Sequence, residues 1–383
     1  MAELPRRRLL QTAAVAGGAL LLGAPATAAA DDPADVDLHL PAPTGPHPVG
    51  ATVLHLTDTS RPDPWSPESD TRELMVTVWY PTRERRGTRT RYMTAEESRL
   101  YLEGKRAPDL PPAVLSTVRT HALVDAPPAG RPGSRPLVIL SPGYTQPRVT
   151  LTALAEDLAS HGYVAAAIDH TGETYAVTFP DGRVAGCSAC ALDGSREFMT
   201  RVHRSRAADV SFVITRLTAP SGWRGARLVD ASRIGMSGHS AGGASAIPAM
   251  LDDPRVRAGV DMDGSTSDLI PAGGLDRPFL FLGTRAHHSP GGPDESWDRD
   301  WGRLTGWRRW VTVDGTEHTS FNDIAVLADQ LGLDYGATTR GIRAVEVTRR
   351  YNRALFDLQL RRRPQPLLER ASARYPEVEI ARR

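Results

Sequence analysis

The sequence has few of the residues on which several kinds of active site depend. Its 383 residues include two cysteines, too few for a four-cysteine zinc site or an iron–sulfur cluster. Lysine occurs once, as Lys105, in a charged stretch without a P-loop or Ser-Lys motif, so lysine chemistry is not expected. No group of histidines or cysteines has metal-ligand spacing. The sequence therefore predicts a chain without a metal or other cofactor.

The chain also has no excess of charge of one sign and no long apolar run. The net charge is +1 and the body of the chain has no basic block, so nucleic acid is not an expected partner. No apolar stretch reaches the roughly 20 residues that span a bilayer. Since 40% of the residues are hydrophobic, the chain can bury a full core.

The first 30 residues have the pattern of an export signal. Arginines at positions 6–8 precede an apolar stretch over 13–24 and alanines at 28–30. We expect cleavage near Ala30 and a secreted, extracellular protein. The arginines with the leucines after them also resemble a twin-arginine signal, and the alternative interpretation is a weak membrane anchor.

Cys187 and Cys190 form a Cys-Ser-Ala-Cys pair that follows a turn signal at residues 180–183. A redox dithiol would instead need a helix N-terminus just after a strand. In an exported protein the pair is therefore predicted to form a small structural disulfide.

The region before residue 137 is irregular. Residues 31–48 are rich in Pro, Asp and Ala and are interpreted as a linker, and two strands near 53–56 and 74–80 are predicted to start an antiparallel sheet. Residues 92–135 are predicted to be an insertion of short helical pieces that covers a pocket. Four of its apolar positions are expected to line an acyl or lipid site: Leu100, Leu102, Val114 and Leu115.

From residue 137 onward, short apolar runs alternate with helical patterns. This alternation predicts an α/β fold, a mostly parallel central sheet with helices on both faces, within one domain over residues 49–383. Ligands of such sheets bind at the carboxyl ends of the strands. The apolar runs are 137–140, 164–168, 234–236, 259–260, 279–282 and 310–313.

The only Gly-x-Ser-x-Gly of the chain is Gly238-His239-Ser240-Ala241-Gly242, between an apolar strand and a small-residue helix. A nucleophilic serine at such a junction sits on a strained turn, and glycines two residues away on either side relieve its clashes. The motif therefore predicts that Ser240 is the nucleophile of an α/β-hydrolase.

A serine nucleophile needs a histidine base, which follows it in the chain of this fold. His318 lies in a polar turn just beyond the strand at 310–313. His287 and His288 precede a Ser-Pro-Gly-Gly turn and are interpreted as solvated loop histidines. His318 is therefore the predicted base.

The acid is predicted from position along the strands. Asp261 and Asp263 lie at the end of the strand that follows the nucleophile elbow, the turn that carries Ser240. The two side chains share one face, and only the more C-terminal one needs to extend beyond the strand end to reach the histidine. After the next strand no acid occurs until Asp294. Asp263 is therefore favoured, with Asp261 as a structural carboxylate and Asp294 as the alternative.

Two backbone N–H groups are the predicted oxyanion donors. One belongs to Ala241, the residue after the nucleophile, and the other belongs to Tyr144 in the loop after the strand at 137–140.

With these residues in place, the chain resembles the platelet-activating factor acetylhydrolase family of the plasma and intracellular isoform II type. The resemblance rests on five segments, at residues 58–63, 72–81, 238–243, 260–264 and 315–318. It implies the α/β-hydrolase fold, Asp263 as the acid and no metal. It also implies hydrolysis of carboxylic esters, including phospholipids with short or oxidised sn-2 chains, and transient contact with a lipid surface.

Two other functions stay open at this point. The segment at residues 141–145 is similar to that of secreted cutinases, which favours a lipase or polyester hydrolase with its acid one strand later. The second alternative is a binding protein with a hydrolase fold and no turnover.

Overall fold

The computed structural model describes residues 36–192 and 195–381. The predicted export signal, with its cleavage near Ala30, lies outside these residues. Among the helices within them, none is both long and apolar enough to cross a membrane.

The elements have the following bounds. The strands are β1 (Val49–Asp58), β2 (Arg72–Pro81), β3 (Arg89–Arg91), β4 (Arg119–Val124), β5 (Arg135–Ser141), β6 (Val164–Asp169), β7 (Val177–Thr178), β8 (Val184–Ala185), β9 (Val229–His239), β10 (Val256–Met262), β11 (Phe279–Thr284), β12 (Arg308–Val313) and β13 (Val378–Ile380). The α-helices are α1 (Ala95–Gly104), α2 (Thr152–Ser160), α3 (Arg196–Thr218), α4 (Ala241–Ala244), α5 (Ala246–Asp252), α6 (Arg285–His288), α7 (Ser296–Trp301), α8 (Ile324–Gln330) and α9 (Gly341–Arg361). Short 3-10 helices span Val114–Thr117, Arg148–Leu151, Ser188–Ala191, Ala226–Leu228, His318–Phe321 and Pro366–Leu368.

Eleven of the strands form one central sheet in the order β13-β12-β11-β10-β9-β5-β6-β2-β1-β4-β3. The six consecutive strands from β12 to β6 in this order are parallel to their neighbours, whereas β2 pairs antiparallel with both β1 and β6. The predicted mostly parallel sheet with an antiparallel start is confirmed. The carboxyl ends of β5, β9, β10 and β12 meet at one edge, where a site can form.

Helices cover both faces of the sheet. Leu137 and Ile139 of β5 pack in a core with α3 and α5, whereas Val138 and Leu140 pack in a second core with α2 and α9. Successive side chains of a strand point to opposite faces, so a strand buried on both sides reads as a continuous apolar run. This is the α/β fold that the alternation predicted.

Residues 36–48 differ from the linker interpretation. Leu38 and Leu40 are buried in a third core, and His39 forms a β-bridge with Arg119. Arg349 of α9 also donates hydrogen bonds to the carbonyl oxygens of Pro41 and Ala42. The two leucines alternate with polar residues, a short pattern that the surrounding prolines and aspartates obscure.

The insertion at residues 92–135 also differs from its prediction. It contains β4, which joins the central sheet parallel to β1. Leu102, Val114 and Leu115 are buried against α8 and α9, so the prediction that they line an acyl site is wrong. Leu100 is half-buried and belongs to none of the cores. The positions that were predicted to form a pocket wall are instead covered by helices from the C-terminal part of the chain.

Candidate active site

Ser240 occupies the sharp turn between β9 and α4. Its φ is 55° and its ψ is −126°, a strained conformation for a residue with a side chain. A Cβ atom on Gly238 would lie 2.2 Å from the carbonyl carbon of Gly242, and one on Gly242 would lie 2.0 Å from the carbonyl oxygen of Ser141. The two glycines therefore let the turn close against the end of β5.

Asp263 and His318 meet at the same edge. Asp263 follows β10, and its Oδ2 accepts a hydrogen bond from Nδ1 of His318 over 2.6 Å. Burial alone would raise the pKa of Asp263, but hydrogen bonds from His288 and His318 outweigh it and hold the pKa well below its usual value. An ionised Asp263 fixes the tautomer of His318 and leaves its Nε2 for proton exchange.

His239 connects His318 to the elbow. Its Nε2 lies 2.8 Å from the carbonyl oxygen of His318, and the two rings are 4.6 Å apart. Burial, together with the charge of His318, lowers the pKa of His239 to about 3, so it stays a neutral donor. Within the described chain the Ser240 hydroxyl makes no hydrogen bond to His318. Such bonds are often loose in unliganded enzymes and tighten when substrate binds.

The two backbone segments that carry the predicted oxyanion donors lie next to each other. A Cβ atom on Gly143 would lie 3.4 Å from Cβ of Ser240, which brings the loop of Tyr144 beside the elbow. The N–H groups of Tyr144 and Ala241 have no acceptor in the described part of the chain. Thr145, Ser240 and Asp263 all have positive φ values, so strained backbone is concentrated here.

Arg206 of α3 anchors the loop of Tyr144, and the sequence analysis missed it. Its guanidinium donates to the carbonyl oxygens of Pro142 and Gly143, and its Nε donates to Glu173 over 2.6 Å. The backbone oxygen of Glu173 in turn accepts from the N–H of Thr145. No local signal in the sequence indicates this role, because Pro142 and Gly143 lie more than 60 residues before Arg206 in the chain.

A second buried network holds the end of β5. Ser141 Oγ lies 2.9 Å from Nε2 of His170, whose Nδ1 lies 2.7 Å from Asp209. Arg72 donates to both carboxylate oxygens of Asp209. Burial opposes the charge of Asp209, but Arg72 outweighs it and the pKa falls well below its usual value.

His288 is not a solvated loop residue, and that interpretation is wrong. It is buried, stacks on Trp297 with ring centroids 4.1 Å apart, and places Nδ1 2.8 Å from Oδ1 of Asp263. Its Nε2 lies 3.3 Å from Asp294, an ion-pair distance without good hydrogen-bond geometry. Burial opposes its charge, but Asp263 and Asp294 raise the pKa of His288 to about 10.

The other two carboxyl groups considered as the acid lie elsewhere. Asp294 contacts His288 rather than His318. Asp261 accepts one hydrogen bond from the N–H of Gly264 and has no partner for Oδ2. Burial raises the pKa of Asp261 well above its usual value, the opposite of the shift at Asp263.

Aromatic side chains line the site on the side of Ala241. Trp65, Phe198 and Tyr144 form a cluster with it, and the Phe198 ring lies 5.6 Å from Trp65 and 5.8 Å from Tyr144. The structure joins Cys187 and Cys190 in a disulfide, and Sγ of Cys187 lies 3.9 Å from the Tyr144 hydroxyl. No group of three or more metal-ligating side chains occurs among residues 36–192 and 195–381.

Comparison with known proteins relates this chain to a family. The family model described as "Platelet-activating factor acetylhydrolase, isoform II" matches residues 34–181. A "Probable 1-alkyl-2-acetylglycerophosphocholine esterase" of Arthroderma benhamiae is 26% identical, over 88% of this chain and 92% of that protein. The "Platelet-activating factor acetylhydrolase" of Bos taurus is 25% identical, over 54% of this chain and 52% of that protein.

The chain belongs to the platelet-activating factor acetylhydrolase family. It is also similar to a solved structure described as "Ferulic acid esterase from Streptomyces cinnamoneus". That structure is 43% identical with a TM-score of 0.82, and the match covers 90% of this chain and all of that one. These relatives make the protein a carboxylic ester hydrolase with the α/β-hydrolase fold, as the resemblance implied. The matched segment of the family model ends before Ser240, so it carries no information on the triad.

Proposed function

We propose that this family member is a serine esterase in which Ser240, His318 and Asp263 act as one catalytic triad. The observation that carries the proposal is the 2.6 Å hydrogen bond between Asp263 and His318, next to the strained Ser240. The Ser240 oxygen attacks the ester carbonyl while Nε2 of His318 takes its proton. His318 then returns that proton to the leaving alcohol, which leaves an acyl group on Ser240. Water activated by His318 hydrolyses this acyl-enzyme.

The backbone N–H groups of Tyr144 and Ala241 would stabilise the oxyanion of each tetrahedral intermediate. Donors fixed before the reaction need no reorganisation when charge develops, and a lost donor costs about 10² to 10³ in kcat. Arg206 supports this role because it holds the two carbonyl groups that precede Tyr144.

The preferred substrates in this proposal are short acyl esters, including phospholipids with truncated sn-2 chains. The names of the fungal and bovine relatives support this class. The cluster of Trp65, Phe198 and Tyr144 limits the space beside Ala241. Each methylene bound in an apolar pocket adds about 0.8 kcal/mol until the wall is reached.

The test is kcat/KM for nitrophenyl esters with chains of roughly two to twelve carbons, beside a polyester film. We expect a maximum at short chains and little release from the film. A maximum at long chains, or polyester turnover that rivals the short esters, would favour the cutinase-like alternative. Tight ester binding without turnover would favour a silent binding protein.

A second candidate class is esters of hydroxycinnamic acids. It is favoured by the Streptomyces structure, whose description names ferulic acid, and by the aromatic side chains around Ala241. Methyl ferulate measured beside methyl acetate distinguishes the classes, since an aromatic acyl pocket would favour the ferulate. We also propose secretion with cleavage near Ala30, which N-terminal sequencing of the extracellular protein tests.

A further inference from the structure

Lys105, the single lysine of the chain, lies beside the oxyanion loop. It follows the last residue of α1, and its Nζ donates to Oγ1 of Thr145 over 3.1 Å. The ammonium also lies 5.7 Å from the ring centre of Tyr101 and 5.5 Å from that of Tyr175. The local sequence around Lys105 indicated no chemistry, but its tertiary position is next to the predicted oxyanion donor Tyr144.

This ammonium has no anionic partner in the part of the chain that the structure describes. One of its three donors is used, and the acceptor is a neutral hydroxyl. The backbone N–H of Lys105, rather than its side chain, caps α1. Shielded charges are normally paired, because desolvation without a counter-ion is costly. Burial lowers the pKa of Lys105 to about 8, so it remains mostly charged at neutral pH.

The position of Lys105 relative to His239 indicates which part of a substrate it would meet. Tyr101, one turn before Lys105, donates a hydrogen bond to the side chain of Gln146. Cγ of Gln146 and Nδ1 of His239 both lie within 3.2 Å of the position that a Cβ on Gly143 would take. Lys105 therefore lies near His239, and its charge contributes to the lowered pKa of that histidine.

The ring of His239 lies 4.6 Å from the ring of His318, which must protonate the leaving oxygen in the proposed mechanism. In that mechanism the leaving group would lie beside His318 and His239. An anionic leaving group would bring a counter-ion to the unpaired ammonium.

We propose that Lys105 is a specificity-determining residue whose ammonium binds an anionic oxygen, of a phosphodiester or a carboxylate, in the leaving group of the ester. The inference rests on the proposed esterase function and names a substrate class within it. It predicts that esters of anionic alcohols acylate the enzyme with a higher kcat/KM than matched esters of neutral alcohols.

Three acetates with matched leaving groups test the inference. They are methyl 4-acetoxybenzoate, which is neutral, 4-acetoxybenzoate, which has a carboxylate, and 4-acetoxyphenyl methyl phosphate, which has a phosphodiester. All three form the same acetyl-enzyme, so kcat/KM compares only acylation. The ratio of anionic to neutral kcat/KM also cancels general effects of a variant on the site.

Lys105→Met should lower the ratio about tenfold or more, the equivalent of about 1.4 kcal/mol, while Lys105→Arg should retain most of it. Arg106→Met is the control, since Arg106 is the exposed neighbour with the same charge. If Lys105→Met lowers the ratio for only one of the two anions, that anion, the phosphodiester or the carboxylate, is the group that Lys105 binds.

The wild-type enzyme provides a test that needs no variant. As pH rises through about 8, Lys105 loses its proton and the ratio should fall several-fold. Nearby groups do not mimic this change: burial raises the pKa of Tyr101, and the pKa of His239 is about 3. Glu173 and Arg206 are paired with each other, and His318 acts on both substrates and cancels in the ratio.

An unchanged ratio in Lys105→Met, an equal loss in Arg106→Met, or a flat pH dependence in the wild type would overturn the inference. If none of the acetates is turned over, the proposed function itself fails. Turnover of the neutral acetate with an unchanged ratio leaves the esterase standing and rejects only the role of Lys105.

Discussion

At the scale of single residues, one carboxylate is shared by two histidines. Asp263 accepts hydrogen bonds from His318 through Oδ2 and from His288 through Oδ1, while the N–H of Thr284 also donates to Oδ1. Three donors keep this buried carboxylate ionised and hold it in one orientation. Asp261, two residues earlier, receives one donor, and burial raises its pKa well above the usual value. The pKa values of the two carboxyl groups therefore shift in opposite directions on either side of Met262.

This contrast predicts the effects of three matched substitutions. Asp263→Asn should lower kcat/KM by up to about 10⁴, because an amide favours the wrong tautomer of His318 and cannot stabilise the imidazolium. Asp261→Asn and Asp294→Asn should cost far less, since neither carboxyl contacts His318. The measurement is kcat/KM on a neutral acetate. A larger loss in Asp294→Asn than in Asp263→Asn would move the acid one strand later.

At the scale of elements, the proposed oxyanion loop depends on a helix far from it in the chain. Arg206 of α3 reaches the carbonyls of Pro142 and Gly143, more than 60 residues earlier. The ion pair with Glu173 is buried on both sides. The loop is thus positioned by a rigid element rather than by its own sequence.

We expect Arg206→Met to lower kcat by about 10² while KM changes little. Displacement of the loop weakens contacts that form mainly in the transition state and has little effect on binding of the ester itself. Removing one member of a buried pair costs about 3 to 5 kcal/mol of stability. The double variant Arg206→Met with Glu173→Gln, which leaves no unpaired charge, therefore serves as the folded test. Arg204→Met is the matched control, since Arg204 is an exposed arginine of the same helix. A wild-type kcat in the folded double variant would show that Arg206 does not position the oxyanion loop for catalysis.

The residues that the sequence could predict have local signals. Ser240 lies in a strand-turn-helix motif, and His318 and Asp263 directly follow apolar strands that end at one sheet edge. His288, Arg206 and Lys105 have no such signals, because their partners lie 25 to 64 residues away along the chain. The burial of Leu102 and Val114 depends in the same way on α8 and α9, which the insertion's own sequence does not specify.

At the scale of the whole molecule, the group formed by Asp263, His288 and Asp294 couples stability to pH. The pKa of His288 is raised from 6.5 to about 10, so its contribution is complete below about pH 6.5 and is lost as pH rises through 10. The pKa of Asp263 is lowered from 3.8, so its contribution is present above that pH and is lost as pH falls. The group therefore stabilises the fold most between about pH 4 and 6.5.

His288→Gln should accordingly lower the free energy of unfolding by about 2 to 3 kcal/mol near pH 5.5, and by less near pH 9.5. Urea unfolding of variant and wild type at both pH values measures the difference. His287→Gln, a change at the exposed neighbour, is the control and should have little effect. A stability difference that grows toward high pH would contradict the charge assigned to His288.

The central claim is that Ser240 is a nucleophile activated by His318, and covalent labelling tests it most directly. Wild-type enzyme is treated with a fluorophosphonate, and the labelled residue is located by intact-protein mass and peptide mapping. We predict one phosphonyl group per chain, on Ser240, with no label in Ser240→Ala and labelling at least about 10³-fold slower in His318→Ala. A label on another residue, or undiminished labelling of Ser240→Ala, would contradict the account.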